Sequence, residues 1–96
     1  MSLVSNPSHP GEVLQELYLI PLGLTSYMLA KRIHVPRTRI ERLVKGDTTL
    51  TADTAMRLAK VFGTTAEYWM NLQRAWDLAR AKEYIDVSDI EPLAAA

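Results

Sequence analysis

Apolar positions recur along this chain at offsets of three and four residues, the spacing that places them on one face of a helix. The clearest stripe runs through Ala55, Leu58, Ala59 and Phe62. The inward face predicted for the first helix comprises Val13, Leu14, Leu17 and Tyr18. Short polar connections of the length usual in helical bundles separate the stretches. We therefore predict an all-α fold of five helices.

Helix-starting and helix-ending residues mark the same elements. The predicted starts are Pro10, Thr25, Pro36, Thr51 and Thr64. The predicted ends are Gly23, Gly46 and Gly63, because glycine adopts the left-handed conformation that closes a helix. Glu67 lies three residues after Thr64, so a capping box can form there. The fifth helix is predicted to end near Lys82.

The segment from Leu24 to Gly46 combines two of these helices into a short pair joined by a tight turn. In the second helix of the pair, Ile40, Leu43 and Val44 form the inward face, and the opposite face is polar and cationic. This is the layout of a helix-turn-helix with a basic recognition helix. We expect a Cro/repressor-like helix-turn-helix domain built around this pair.

Residues 10–82 are predicted to form that domain, with a terminal segment on each side. Residues 1–9 have no periodicity and are predicted to be a flexible N-terminal arm, in which His9 is an ordinary terminal residue. Residues 83–96 form a short acidic C-terminal tail in which apolar and polar residues alternate weakly. The tail is either a frayed terminus or a segment that orders on contact with a partner.

The composition fits one soluble domain. Of the 96 residues, 48% are hydrophobic, which is enough for a folded core, and none is cysteine. No apolar run reaches the length of a membrane span, and the N-terminus lacks the features of a signal peptide. We expect a cytoplasmic protein with no membrane partner.

Positive charge is concentrated in one segment, although the net charge of the whole chain is zero. Residues 31–45 carry six cations and only Glu41 as an acid, a net charge of +5. Residues 1–30 carry −2 and residues 46–96 carry −3. A solvated helix face can also be basic, but the coincidence with the helix-turn-helix pattern favours a nucleic-acid interface.

Helical geometry sorts the candidate DNA contacts by role. The candidates for base contact are Arg37, Thr38 and Arg42. Arginine can hold guanine in a fork, and threonine can reach polar base edges or a thymine methyl group. The candidates for phosphate contact are Ser26, Arg39 and Lys45. Tyr27 either lies on the sugar–phosphate backbone or covers the core from the surface. Glu41 must avoid phosphate, pair with an arginine or accept from a cytosine amino group.

A single recognition helix reads few base pairs, so we expect a homodimer on a palindromic operator in double-stranded DNA. The candidate dimer interface lies on the fifth helix and comprises Trp69, Leu72 and Trp76. Two tryptophans are a large aromatic area for so small a domain. We favour Trp69 as a core residue and Trp76 as the stronger dimer candidate.

The sequence offers no constellation for catalysis. Its only histidines are His9 and His34, and it has no cysteine, no glycine-rich phosphate loop and no cluster of metal ligands. We expect neither an enzyme nor a bound cofactor or metal. The remaining class is a protein-interaction module whose motif helices no longer bind DNA, and the basic face argues against it.

A resemblance to a known family rests on three runs of sequence. They are HPGEVLQELYLIPLGL, GLTSYMLAKRIHVPRTRIERLVKG and TADTAMRLAKVFGTTAEYWMNLQRAWDLA. These runs, which cover about residues 9–80, resemble the HigA antitoxin branch of the XRE (Cro-like) helix-turn-helix family. The resemblance implies a bacterial DNA-binding dimer that represses its own operon and neutralises a HigB-like toxin, an RNA-cleaving protein. Without a toxin partner, the same features describe a helix-turn-helix transcriptional regulator.

His34 departs from the pattern of that family, which commonly has glycine at the turn between the two motif helices. The position usually needs a positive φ, and histidine is among the few other residues enriched in that conformation. We expect the turn to survive at a modest cost in strain. The imidazole is either a tolerated turn residue or an additional hydrogen-bond donor near DNA.

Overall fold

The computed structural model describes residues 6–94 and folds them into five helices. The helices are α1 (Pro10–Leu22), α2 (Ser26–Ile33), α3 (Arg37–Lys45), α4 (Ala52–Phe62) and α5 (Ala66–Tyr84). Within this part of the chain no strand forms. The predicted all-α, five-helix fold is confirmed.

The starts of α2 and α4 are capped as predicted. The Thr25 hydroxyl accepts from the Met28 N–H at 3.1 Å, and the Thr51 hydroxyl accepts from the Thr54 N–H at 3.4 Å. Pro36 lies one position earlier than the first turn of α3, at the N-cap with an extended backbone. These N-cap residues mark where α2, α3 and α4 begin.

The start of α5 lies one residue later than predicted. Thr65, not Thr64, accepts from the Tyr68 N–H at 3.0 Å. The Thr64 hydroxyl accepts instead from the Trp69 indole N–H at 2.8 Å. Thr64 is therefore outside the cap, and the predicted capping box with Glu67 is wrong.

The middle of α1 is wound more widely than an α-helix. Residues Gln15–Leu19 form a π-helical turn, and the Ile20 N–H donates to the Gln15 carbonyl five residues back. The prediction that Leu17 faces inward is wrong, because its side chain is exposed while Leu14 is buried. The wide turn thus leaves an apolar side chain on the surface of α1.

The core is centred on Trp69, which is fully buried. The rings of Tyr18 and Tyr68 lie 5.2 Å from its ring, and the ring of Phe62 lies 6.4 Å away. The aliphatic part of the core includes Leu14, Leu29, Ile40, Leu50 and Leu58. The predicted core role of Trp69 is confirmed.

Helix α1 packs closely against the C-terminal end of α3. A Cβ atom on Gly11 would lie 1.7 Å from the Leu43 carbonyl oxygen, so only glycine permits this approach. Leu43 itself is buried. Helix α1 therefore packs against the core-facing side of the recognition helix α3.

His9 is part of this packing, and the prediction that it is an ordinary terminal residue is wrong. Its Nδ1 accepts from the Gly11 N–H at 2.9 Å and caps α1, and its ring meets the Trp76 ring edge-on at 5.3 Å. Burial lowers the pKa of His9 below its ordinary value of 6.5. Residues 1–5 of the predicted arm lie outside the described part of the chain.

The segment after α5 is largely exposed and irregular. Helix α5 ends at Tyr84, two residues beyond the predicted end, and the alternation in the tail forms no strand within the described residues. Apolar side chains from Ile85 to Leu93 stand exposed. Their surface is thus available to a partner.

No single helix of the described chain is long and apolar enough to cross a membrane. Helices α1 and α2 together meet the length and composition of a span, but they bend by 96° relative to each other.

Candidate DNA-binding interface

The turn between α2 and α3 sets the angle of the motif. His34 adopts the left-handed conformation at φ 62° and ψ 47°, as predicted for a position where glycine is common. The Val35 N–H closes the turn by donating to the Ala30 carbonyl at 3.0 Å. The side chain of His34 is exposed.

Helix α3 presents one face to the core and the other to solvent. Ile40 and Leu43 are buried, and the predicted base-contact residues Arg37, Thr38 and Arg42 are all exposed. The structure therefore brings these three side chains to one solvent-facing surface of the recognition helix.

Ion pairing distinguishes the cations on that surface. Arg37 Nε lies 3.4 Å from Glu41 Oε2, so Glu41 takes the arginine-pairing option among the three considered. Within residues 6–94, no carboxylate lies within ion-pair distance of Arg42 or Lys45. These two cations are the ones most available to an external anion.

Arg39 has a protein partner that the sequence did not reveal. Its Nη1 lies 2.5 Å from Asp53 Oδ2, and Arg57 Nε lies 3.1 Å from Asp53 Oδ1. Hydrogen bonds from Arg39 and then Arg57 lower the pKa of the Asp53 carboxyl. Arg57 also donates to the Ile33 carbonyl at 2.8 Å. This network connects α3 and α4 to the end of α2.

A cleft of about 630 Å³ lies between α3 and the loop that leads into α4. Arg42 lines one side of it, and the loop contributes Thr48, Thr49 and Thr51. Threonine hydroxyls beside exposed cations suit phosphate oxygens. Sequence reasoning missed this loop, although the run of threonines after Gly46 was a visible signal.

The start of α2 carries the remaining DNA candidates. Ser26 is half-buried in the first turn of α2, beside the Thr25 cap. Tyr27 is exposed and is not among the apolar residues packed on the core. Tyr27 therefore does not cover the core, and its contact with a sugar–phosphate backbone stays a prediction.

The predicted dimer residues on α5 differ in accessibility. Trp69 is fully buried within the protomer and supplies no surface to a partner. Leu72 and Trp76 are half-buried, and Trp76 contacts the His9 ring and the Arg80 guanidinium, 5.5 Å from its centroid. More exposed apolar side chains follow them, from Leu78 to Leu93.

Residues 14–69, which contain this motif, match the helix-turn-helix family model. The chain belongs to the helix-turn-helix family. This assignment agrees with the predicted XRE-type fold and with a DNA-binding regulator that is not an enzyme.

Named relatives narrow the position of this helix-turn-helix protein within the family. It is 48% identical over 75 residues to virulence-associated protein I of Dichelobacter nodosus, covering 78% of this chain and 69% of the relative. It is 42% identical over 72 residues to antitoxin HigA-1 of Vibrio cholerae serotype O1, covering 75% and 68%. The predicted resemblance to the HigA branch is confirmed.

A solved structure gives the same picture for the whole fold. The structure described as antitoxin GraA in complex with its operator is 30% identical, with a TM-score of 0.88, and the alignment covers 99% of each chain. The helix-turn-helix protein is an antitoxin-like DNA-binding regulator.

Proposed function

We propose that this protein is the antitoxin of a type II toxin–antitoxin system and that it represses its own operon as a homodimer in the bacterial cytoplasm. The observation that carries the DNA half is the cationic face of α3, where Arg42 and Lys45 are exposed and have no carboxylate of residues 6–94 within ion-pair distance. The relatives support it, since GraA was solved with its operator.

We assign base readout to residues in the middle of α3. Arg42 and Thr38 line the same cleft and project from the face opposite the buried Ile40. A bidentate arginine–guanine pair discriminates against the wrong base by about 1–3 kcal/mol. Arg37 forms an ion pair with Glu41, so Arg37 can contact a base only when this pair opens or rotates.

Phosphate contacts fix the register of α3 in the groove. The proposed phosphate contacts are Ser26, Tyr27 and Lys45, and the threonines of the loop after α3 add hydroxyl donors. Arg39 orients α3 through Asp53 and offers its remaining N–H groups to phosphate.

The toxin half rests on the antitoxin relatives. HigA-1 carries the antitoxin description in its name, and this chain shares 42% identity with it over 72 residues. The proposed partner is a HigB-like, RNA-cleaving toxin.

The base-readout role of Arg42 is tested by fluorescence anisotropy on DNA from the upstream region of its own gene. Arg42→Ala is expected to weaken binding to this DNA about tenfold or more while affecting a scrambled duplex less. Arg74→Ala, which removes an exposed arginine from α5, is the matched control and should bind as the wild type does. Equal losses on both duplexes would exclude base readout by Arg42.

Antitoxin activity is tested by co-expression. The protein encoded by the adjoining reading frame is expected to arrest growth when expressed alone and to be harmless with this protein present. Arrest that persists with both proteins present would exclude the toxin half and leave the DNA half intact.

A further inference from the structure

An apolar groove of about 540 Å³ runs between α1 and α5, and the proposed DNA contacts do not line it. Its apolar lining comes from Val13 and Leu17 on α1 and from Leu72 and Ala75 on α5. Leu17 is 62% exposed there because the π-helical turn displaces it from the core. Large exposed apolar side chains inside a groove are typical of protein-interaction surfaces.

The charge of this groove is opposite to that of the recognition face. Glu12 and Glu16 line it, both are exposed, and no cation is among its lining residues. Residues 1–30 contain no lysine or arginine at all. Within residues 6–94, neither glutamate forms an ion pair. An occupant that carries lysine or arginine beside an apolar face would complement both features.

We infer that this groove is the docking site for the toxin and that it receives an apolar segment of the toxin flanked by cations. The inference rests on the proposed antitoxin function. A protein that cleaves RNA has to present cations to a polyanion. Glu12 and Glu16 offer those cations carboxylates, while Leu17 and Leu72 cover the adjoining apolar surface.

The acidic tail of a second copy is a poorer occupant. It carries Glu83, Asp86, Asp89 and Glu91 among its apolar residues. Placing these carboxylates against Glu12 and Glu16 would bring like charges together. Charge therefore favours the toxin over the tail as the occupant of the groove.

The groove leaves the recognition helix accessible, since no residue of α3 lines it. The toxin can therefore dock while Arg42 and Lys45 still face DNA. Toxin affinity and operator affinity become separable properties of the protein.

The test measures the affinity of full-length variants for the purified product of the adjoining reading frame by calorimetry. Leu17→Ser and Glu16→Lys are each expected to weaken binding about tenfold or more. Met56→Ser is the apolar control, because Met56 is 65% exposed on α4, outside the groove. Glu67→Lys is the charge control, because Glu67 is exposed and does not line the groove. Leu17→Ser should keep wild-type affinity for operator DNA, which shows that it is folded.

Selective loss in the two groove variants, with both controls binding as the wild type does, supports the inference. Equal toxin affinity in all four variants overturns it and leaves the proposed antitoxin function standing. Absence of binding by the wild-type protein overturns the toxin half of the proposed function, and the inference falls with it.

Discussion

At the scale of the residue, His34 is the one residue other than glycine with a positive φ within residues 6–94. It holds φ 62° without the freedom of glycine. Residues other than glycine pay roughly 1 kcal/mol or more in this region. His34→Gly is therefore expected to raise the free energy of unfolding by about 0.5–1 kcal/mol, as measured by urea denaturation. A loss of stability would mean that the imidazole makes a contact worth more than the strain.

His9 predicts a dependence of stability on acid pH. Burial lowers the pKa of His9, so the folded state favours the neutral ring whose Nδ1 accepts from Gly11. Its contribution is complete above the ordinary pKa of 6.5 and is lost as the pH falls through the lower folded-state pKa. His9→Asn keeps a good N-cap without titrating there. Denaturation between pH 7.5 and pH 5 should show a smaller acid loss for this variant than for the wild type.

The sequence predicted the position or conformation of a single residue correctly where a local feature determines it. The inward set on α3 and the positive φ of His34 follow from helical spacing and turn chemistry. The Arg39–Asp53 pair does not, because it joins side chains 14 residues apart on two helices whose relative position only packing decides. The contact of His9 with Trp76 was hidden for the same reason, although its hydrogen bond from Gly11, two residues away, is local.

At the scale of the element, the contact between α1 and α3 controls the position of the recognition helix. Gly11→Ala would place a methyl group 1.7 Å from the Leu43 carbonyl oxygen and force the two helices apart. We expect a loss of about 1–3 kcal/mol or more in the free energy of unfolding. Gly23→Ala is the control, since its Cβ meets nothing within 4 Å and only its φ of 64° is strained. Gly23→Ala is itself expected to lose about 1 kcal/mol through this strain, so a Gly11→Ala variant as stable as the wild type would contradict the close approach.

Helix boundaries could be predicted to within a residue or two, with errors where two signals competed. Thr64 and Thr65 are both good N-cap residues. Thr65 caps α5 because the Thr64 hydroxyl accepts a hydrogen bond from the Trp69 indole N–H instead. The π-helical turn in α1 left no comparable signal. It shifts the phase of the apolar stripe and explains why Leu17 was predicted to face inward.

At the scale of the whole molecule, we expect the exposed apolar residues after α5 to form the interface of the proposed homodimer. We expect the proposed homodimer to bury Ile85 and Ile90, which lie in the exposed tail, more than Leu72 or Trp76. The double variant Ile85→Ser with Ile90→Ser should sediment as a monomer at micromolar concentration. Ile20→Ser, at an exposed position on α1, is the control and should remain a dimer. A dimeric double variant would place the interface elsewhere.

This small domain has two separate surfaces, and the sequence predicted only one of them. The basic face follows from charge counted along the chain. The acidic, apolar groove does not, because it forms only when α1 packs beside α5, from residues far apart in sequence.

The DNA-binding role of the α3 face is tested by the salt dependence of the protein's binding to DNA from the upstream region of its own gene. Each phosphate neutralised contributes about −0.9 to the slope of log K against log salt concentration. Arg39 and Lys45 in a dimer supply four cations, so we predict a slope of about −3.6 or steeper. An affinity that barely changes between low and moderate salt would contradict a DNA-binding role for the α3 face.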